Sequence, residues 1–243
     1  MNDQHVEQTD KLQYLACEHR SVFLLLMINS GMMGAYTFNL RGGVFCNAQT
    51  ANVVMMAVAL GSGDLKGGLY YLIPITAYAF GAFISEILPS PIKRLGVFRW
   101  DTCLIAIEML VLLIIGFLPL TLPHQIVQIT VNFIASMQYN TFRQAEGVPM
   151  ATTFCTNHVR QVGIALAKIV KDKNYEQKNK ALLHIKMVTG FMLGGMVLTI
   201  FCKYFMEKAI WIALVPLGII LVQLVYADLK TEHHLLSQKP CGH

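Results

Sequence analysis

The run TFNLRGGVFCNAQTANVVMMAVAL, Thr37 to Leu60, returns further down the chain as TFRQAEGVPMATTFCTNHVRQVGIAL, Thr141 to Leu166. Thr37-Phe38 and Gly43-Val44 meet Thr141-Phe142 and Gly147-Val148 at an offset of 104 residues. After a two-residue insertion, Thr50, Val53, Ala59 and Leu60 meet Thr156, Val159, Ala165 and Leu166 at an offset of 106. A duplicated unit is the simplest explanation. In each copy a helix ends near Gly-Val, a loop of small and polar residues follows, and a second apolar helix begins just after a Thr. Broken helices in matched pairs occur where membrane proteins bind small solutes.

The surroundings of these two runs are apolar. Of 243 residues, 55% are hydrophobic and 14% charged, and the mean hydropathy is +0.51. A soluble monomer of this size cannot bury so much apolar surface. The apolar residues also come in runs near the length that crosses a bilayer core: Ser21 to Leu40, Gly42 to Gly63, Gly67 to Ser85, Glu108 to Phe142 and Ala209 to Ala227. The composition therefore predicts an all-α polytopic membrane protein. The residues up to Arg20 are polar and no small-residue cleavage site interrupts the first run, so no cleavable signal is expected.

The net charge of +5 fits the gathering of Lys and Arg on the cytoplasmic side of membrane proteins, and no nucleic-acid partner is expected. Cys17, Cys46, Cys103, Cys155, Cys202 and Cys241 lack metal-ligand spacing and sit mostly in apolar runs, which reads as reduced structural thiols. There is no Walker loop, dinucleotide fingerprint, zinc-ligand pair or nucleophile elbow. Neither an enzyme nor a cofactor is expected, and membrane lipids are the surroundings.

Along the chain, residues 1–20 read as a polar cytoplasmic segment, 21–119 as a first membrane repeat, 120–228 as a second, and 229–243 as a polar tail. Spans are expected over Ser21 to Leu40, Leu69 to Leu88, Asp101 to Leu118, His124 to Phe142, Ile185 to Tyr204 and Ala209 to Ala227, with breaks at Pro89-Ser90-Pro91 and Pro119. If the short helices after each break dip into the membrane without crossing, a cytoplasmic N-terminus puts 14 basic residues inside. Only Arg41, Lys66, Lys203 and Lys208 then lie outside, and Arg160 belongs to a short helix. If every segment crosses, the ratio falls to 11 inside against 7 outside. Charge distribution thus favours six spans. Gly42 to Gly63, 22 uncharged residues, is nevertheless long enough to cross, and eight spans stay open. Three spans per repeat is odd, so the halves would be inverted, and both termini cytoplasmic.

Thr50 and Thr156 stand where the short helices are expected to start, positioned to cap free N–H groups or, with the positive ends of two helices, to bind an anionic or polar solute. Asn52 and His158 are repeat equivalents, as are Ala51 and Asn157. Their side chains either line a solute path or pack. Gln138 and Asn140 precede the second break. Glu108 lies within a span, where a carboxylate either carries a proton or ion, pairs with Arg160, or bridges helices as a buried acid. Gly190 and Gly194 have small-xxx-small spacing and predict a close helix contact.

Gly42-Gly43-Val44-Phe45 leading to Thr50-Ala51-Asn52, with Gly147-Val148-Pro149 leading to Thr152-Thr153-Phe154 and Thr156, resembles the YoaK-like bacterial membrane proteins, a family of unknown function. The resemblance runs from about Phe23 to Ala227. It implies the bacterial cytoplasmic (inner) membrane and about six spans, and brings no activity with it. Members typically carry glycine where Ala51 and Asn157 stand here. Two expectations follow from the residues. One is a small transporter or channel for a small polar or anionic solute held near the bilayer midplane between the two short-helix starts. The other is a non-transporting scaffold, assembly partner or lipid-binding protein. A homodimer is in keeping with so small a membrane domain.

Overall fold

The computed structural model describes residues 14–88, 96–173, 175, 177–236 and 238. The expected break at Pro89-Ser90-Pro91, the basic residues Lys11, Lys93, Arg94 and Lys239, and Cys241 lie outside the described residues. The chain is 79% helical. The helices are α1 (Arg20–Leu40), α2 (Gln49–Gly61), α3 (Leu65–Ile87), α4 (Trp100–Ile115), α5 (His124–Thr141), α6 (Thr156–Asp172), α7 (Gln177–Phe205) and α8 (Leu214–Tyr226). A 3-10 stretch, Met206–Ala213, joins α7 to α8, where a plain helix is expected from sequence.

Among the described residues, three helical segments are long and apolar enough to cross a membrane: Arg20–Leu40, Leu65–Ile87 and the run Gln177–Thr231. Phe80, Phe83, Leu110, Leu193, Met196 and Val222 are exposed, which suits a surface solvated by lipid. This is a helical membrane protein. Six spans are expected from sequence, and the shortfall has physical causes. α4 has 16 residues, about 24 Å at the rise of an α-helix. α5 carries Gln128, Asn132 and Gln138 on a face wholly buried in protein, which lowers its hydropathy without exposing it to lipid. α2, with 13 residues, reaches about 20 Å and is too short for a core of about 30 Å. Lys168 and Lys171 belong to α6, and Lys178, Lys180 and Lys186 to α7.

The packing exchanges helices between the two halves. α1 lies along α7 and α5 lies along α3, while α2 packs on α3 and α6 on α7. Both long pairs run parallel. Asn39 of α1 donates to Thr199 of α7 at 3.1 Å, and Gly31 faces Phe191. Ser136 of α5 donates to the Tyr78 carbonyl, and Arg143 beyond its end reaches Glu86. Close approach depends on glycine in both: a Cβ on Gly194 would sit 2.1 Å from the Ile28 carbonyl oxygen, and one on Gly81 would sit 2.3 Å from that of Phe133. The expected contact through Gly190 and Gly194 is therefore the α1–α7 seam. α1 and α5 are antiparallel, with Phe23 edge-on to Phe142 at 6.2 Å and Ser30 opposite Gln138.

One end of the bundle is tied by charge. Arg99 donates from Nε to Asp228 at 3.0 Å and from Nη2 to Glu232, which also accepts the Ala16 N–H at 2.8 Å. Both ends of the described chain thus meet on the same side. The segment before α1 is not simply a polar head, since Leu15 and Cys17 are buried in the core. Burial, reinforced by the Asp101 carboxylate, pushes the Cys17 thiol well above its usual range, so it stays protonated. Cys17, Cys46, Cys103, Cys155 and Cys202 are all free.

Candidate functional site

Both breaks use the same backbone device. Gly42 and Gly43 have φ of 84° and 71°, and their equivalents at offset 104, Glu146 and Gly147, have 48° and 76°. Two consecutive left-handed residues make a tight reversal. In the second copy it closes a small hairpin, β1 (Gln144–Ala145) against β2 (Val148–Pro149). After each reversal the chain runs extended into the short helix, and one side chain on that helix reaches back to hold it. Asn52 donates to the Phe45 carbonyl at 2.8 Å and accepts the Phe45 N–H at 3.3 Å. His158 shares a 2.8 Å hydrogen bond with the carbonyl of Ala151. Phe45 and Ala151 are themselves related by the 106-residue offset that relates Asn52 to His158. Both latches are buried, and each ties its loop to the short helix.

The two breaks are joined through the middle of α1 and α5. Asn47, on the first loop, donates to the Ser30 carbonyl at 2.9 Å. Gln138 donates to Ser30 Oγ at 3.1 Å and towards the Thr152 carbonyl, on the second loop, at 3.4 Å. Gln49 extends the string, donating to Asn132 Oδ1 at 2.7 Å. Beside it Asn29 donates to Glu108 at 2.7 Å. Asn29, Ser30, Glu108, Asn132, Gln138 and Thr152 are all fully buried. Asn29 Oδ1, Glu108 Oε2, Gln138 Oε1 and Thr152 Oγ1 have no hydrogen-bond partner among the described residues. An unpartnered buried polar group costs about 1–3 kcal/mol, and a concentration of them inside a bundle is a mark of a functional site.

Next to the second break a crevice of about 480 Å³ is lined by Tyr139, Asn140, Arg143, Pro149, Met150, Ala151, Phe154 and Asn157. Arg143 is held in its wall by Glu86 at 2.9 Å and by Asn140 Oδ1 at 2.9 Å. Tyr139 and Phe154 form an aromatic side, ring centroids 5.0 Å apart. The latch carbonyl of Ala151 belongs to the same wall.

The expected site residues divide accordingly. Gln138 joins the buried string, Asn140 and Asn157 line the crevice, and Asn52 and His158 hold the loops. Thr50 and Thr156 do not cap: α2 and α6 begin at Gln49 and Thr156, their N-caps Ala48 and Cys155 make no side-chain cap bond, and both threonines are exposed. α2 starts two residues and α6 one residue earlier than a capping threonine at 50 or 156 would require. Glu108 does not pair with Arg160, which is exposed and bonded to Asn157 at 2.8 Å. Sequence reasoning missed Ser30, Asn47, Gln49, Thr152, Arg143 and His184. Asn47 and Gln49 were signalled by lying at a break, whereas Ser30 and His184 carry no local signal. His184 Nδ1 lies 2.9 Å from His158 Nδ1 and backs the second latch. Among the described residues no three His, Cys, Asp or Glu side chains converge as metal ligands.

A family described as Protein of unknown function (DUF1275) matches residues 22–223. No curated protein and no solved structure matches the chain.

Proposed function

The chain belongs to the DUF1275 family of proteins of unknown function, and we propose that it is a small bacterial inner-membrane transporter built from two inverted three-span repeats. In this reading α2 and α6 are re-entrant, entering from opposite faces, and both termini are cytoplasmic. Several features support the architecture: antiparallel α1 and α5, the exchange that pairs α1 with α7 and α5 with α3, the shortness of α2, and the meeting of Ala16 with Glu232 at one end. Inverted repeats with broken helices hold solutes where the breaks face each other.

The observation that carries the proposal is the buried string from Asn47 through Ser30 and Gln138 to Thr152, which connects the two breaks. The Thr152 hydroxyl can donate to a small polar or anionic solute, and the free amide oxygens can accept from a solute that also carries N–H or O–H groups. The crevice beside Arg143 is the entry on the cytoplasmic side. Glu108, with one oxygen on Asn29 and the other unpartnered, is the group that takes up the coupling proton.

The test is water access to the string. In a background without native cysteines, Thr152→Cys should react with a membrane-impermeant thiol reagent applied from the inside, and small anions that bind should slow the reaction. In vesicles holding a pH-sensitive dye, Glu108→Gln should abolish proton movement driven by such an anion gradient. The continuous apolar core shared by both halves favours a non-transporting scaffold instead. A residue 152 thiol unreactive from both sides, with no proton movement in the parent protein, would establish that alternative.

A further inference from the structure

A second cavity, of about 270 Å³, opens between α1 and α7 and is lined by Arg20, Ser21, Leu24, Asn179, Leu182, Leu183, Lys186 and Met187. Its composition is divided. Arg20 and Lys186 supply two positive charges, Ser21 and Asn179 supply neutral hydrogen-bonding groups, and leucine and methionine make the rest. α1 and α7 run parallel along their whole contact, so the first residue of one and an early turn of the other lie at the same level.

That level is set by helix length. From Lys186 to Phe205 α7 rises about 29 Å, and the 21 residues of α1 rise about 31 Å, both matching a hydrocarbon core of about 30 Å. Arg20 and Lys186 therefore stand at the boundary between acyl chains and headgroups. The turn of α7 before that boundary adds Lys178 and Lys180. Arg20 uses Nε on Glu146 at 2.7 Å, and its terminal nitrogens make no hydrogen bond among the described residues. Lys186 is exposed, with no ion pair among them.

From this juxtaposition we infer that the groove between α1 and α7 binds an anionic phospholipid of the leaflet facing the chain's termini, its phosphate between Arg20 and Lys186 and its acyl chain along Leu24, Leu183 and Met187. Basic grooves between spans at this depth recognise anionic headgroups. Glu146 pairs with Arg20, so the net positive charge that faces the phosphate is that of Lys186, while the terminal nitrogens of Arg20 remain as hydrogen-bond donors to it. The site lies on the α1–α7 seam and is independent of whether the buried string carries a solute.

The experiment uses the full chain, delipidated in a neutral detergent and titrated with phosphatidylglycerol or with phosphatidylcholine of the same chains, bound lipid being counted by native mass spectrometry. Phosphatidylglycerol should be retained in preference. Each basic residue near an anionic lipid contributes about fivefold, so Lys186→Ala should weaken retention about fivefold and Lys186→Glu further. Lys203→Ala, at the far end of α7, should leave it unchanged. Lys186 is exposed, so its variants keep the fold, whereas Arg20→Gln also breaks the Glu146 pair and serves only as a second reading. Equal retention of both lipids, or unaltered phosphatidylglycerol binding by Lys186→Glu, would overturn the assignment. Inorganic phosphate that stabilises the lipid-free protein as phosphatidylglycerol does would reassign the groove to a soluble anion and overturn it equally.

Discussion

The first and second breaks share a backbone and differ in how it is held. Asn52 mimics a peptide, satisfying both the N–H and the C=O of Phe45, and α2 behind it carries no charge. His158 meets only one loop group, leans on His184, and belongs to a helix carrying Arg160, Lys168 and Lys171 beside an open crevice. The geometry of the reversal is common to both breaks, while the side chains that hold it differ. One half is closed by a latch that cannot titrate, and the other by a pair of titratable rings beside a crevice. In the transport proposal this makes the first break the fixed side and the second the working side.

The largest effect should come from the tighter latch. Asn52→Ala orphans two buried backbone groups, at about 1–3 kcal/mol each, and should lower thermal stability in detergent by roughly 2–5 kcal/mol. A loss no greater than that of an exposed control such as Thr50→Ala would show that the first loop is held by something else. Next come the two glycine seams. Gly194→Ala and Gly81→Ala each force a methyl against a backbone carbonyl and should cost about 1–3 kcal/mol. Because the seams are equivalent, the two losses should be alike, and a clear inequality in melting temperature would break the equivalence of the halves.

His158→Gln keeps a donor for the Ala151 carbonyl but loses the bond to His184, so about 1 kcal/mol is expected. The informative comparison is Asn52→His, which should be worse than His158→Asn, because a ring cannot keep all three bonds that Asn52 makes to the Phe45 N–H, the Phe45 carbonyl and Gln49 Oε1. The smallest effect is expected from Glu108→Gln. It retains an acceptor for the Asn29 amide and should shift stability by less than about 1 kcal/mol, while removing the proton-dependent step in vesicles. A large stability loss with unchanged proton movement would make Glu108 a structural acid.

Much of this was legible beforehand. The duplication, its offsets, the positions of both breaks and the equivalence of Asn52 with His158 could be read from residue identity, because a repeat preserves spacing. The helices and their apolar faces were legible from composition, since lipid demands apolar side chains over lengths near 20 residues. Thr50 and Thr156 misled because a Thr near a helix start resembles a cap, yet capping depends on register to the residue, and the helices start two residues and one residue earlier than such caps require.

The sequence alone determined that this is a helical membrane protein and marked two similar stretches, each with a break, for both properties reside in local spacing and hydropathy. Only the tertiary structure decided which polar residues meet. Ser30 with Gln138 and Arg20 with Lys186 are brought together across the two halves, whereas Glu108 with Asn29 and His158 with His184 meet by packing within a half. Contacts between distant segments depend on how glycine seams let whole helices approach, and no local pattern records that.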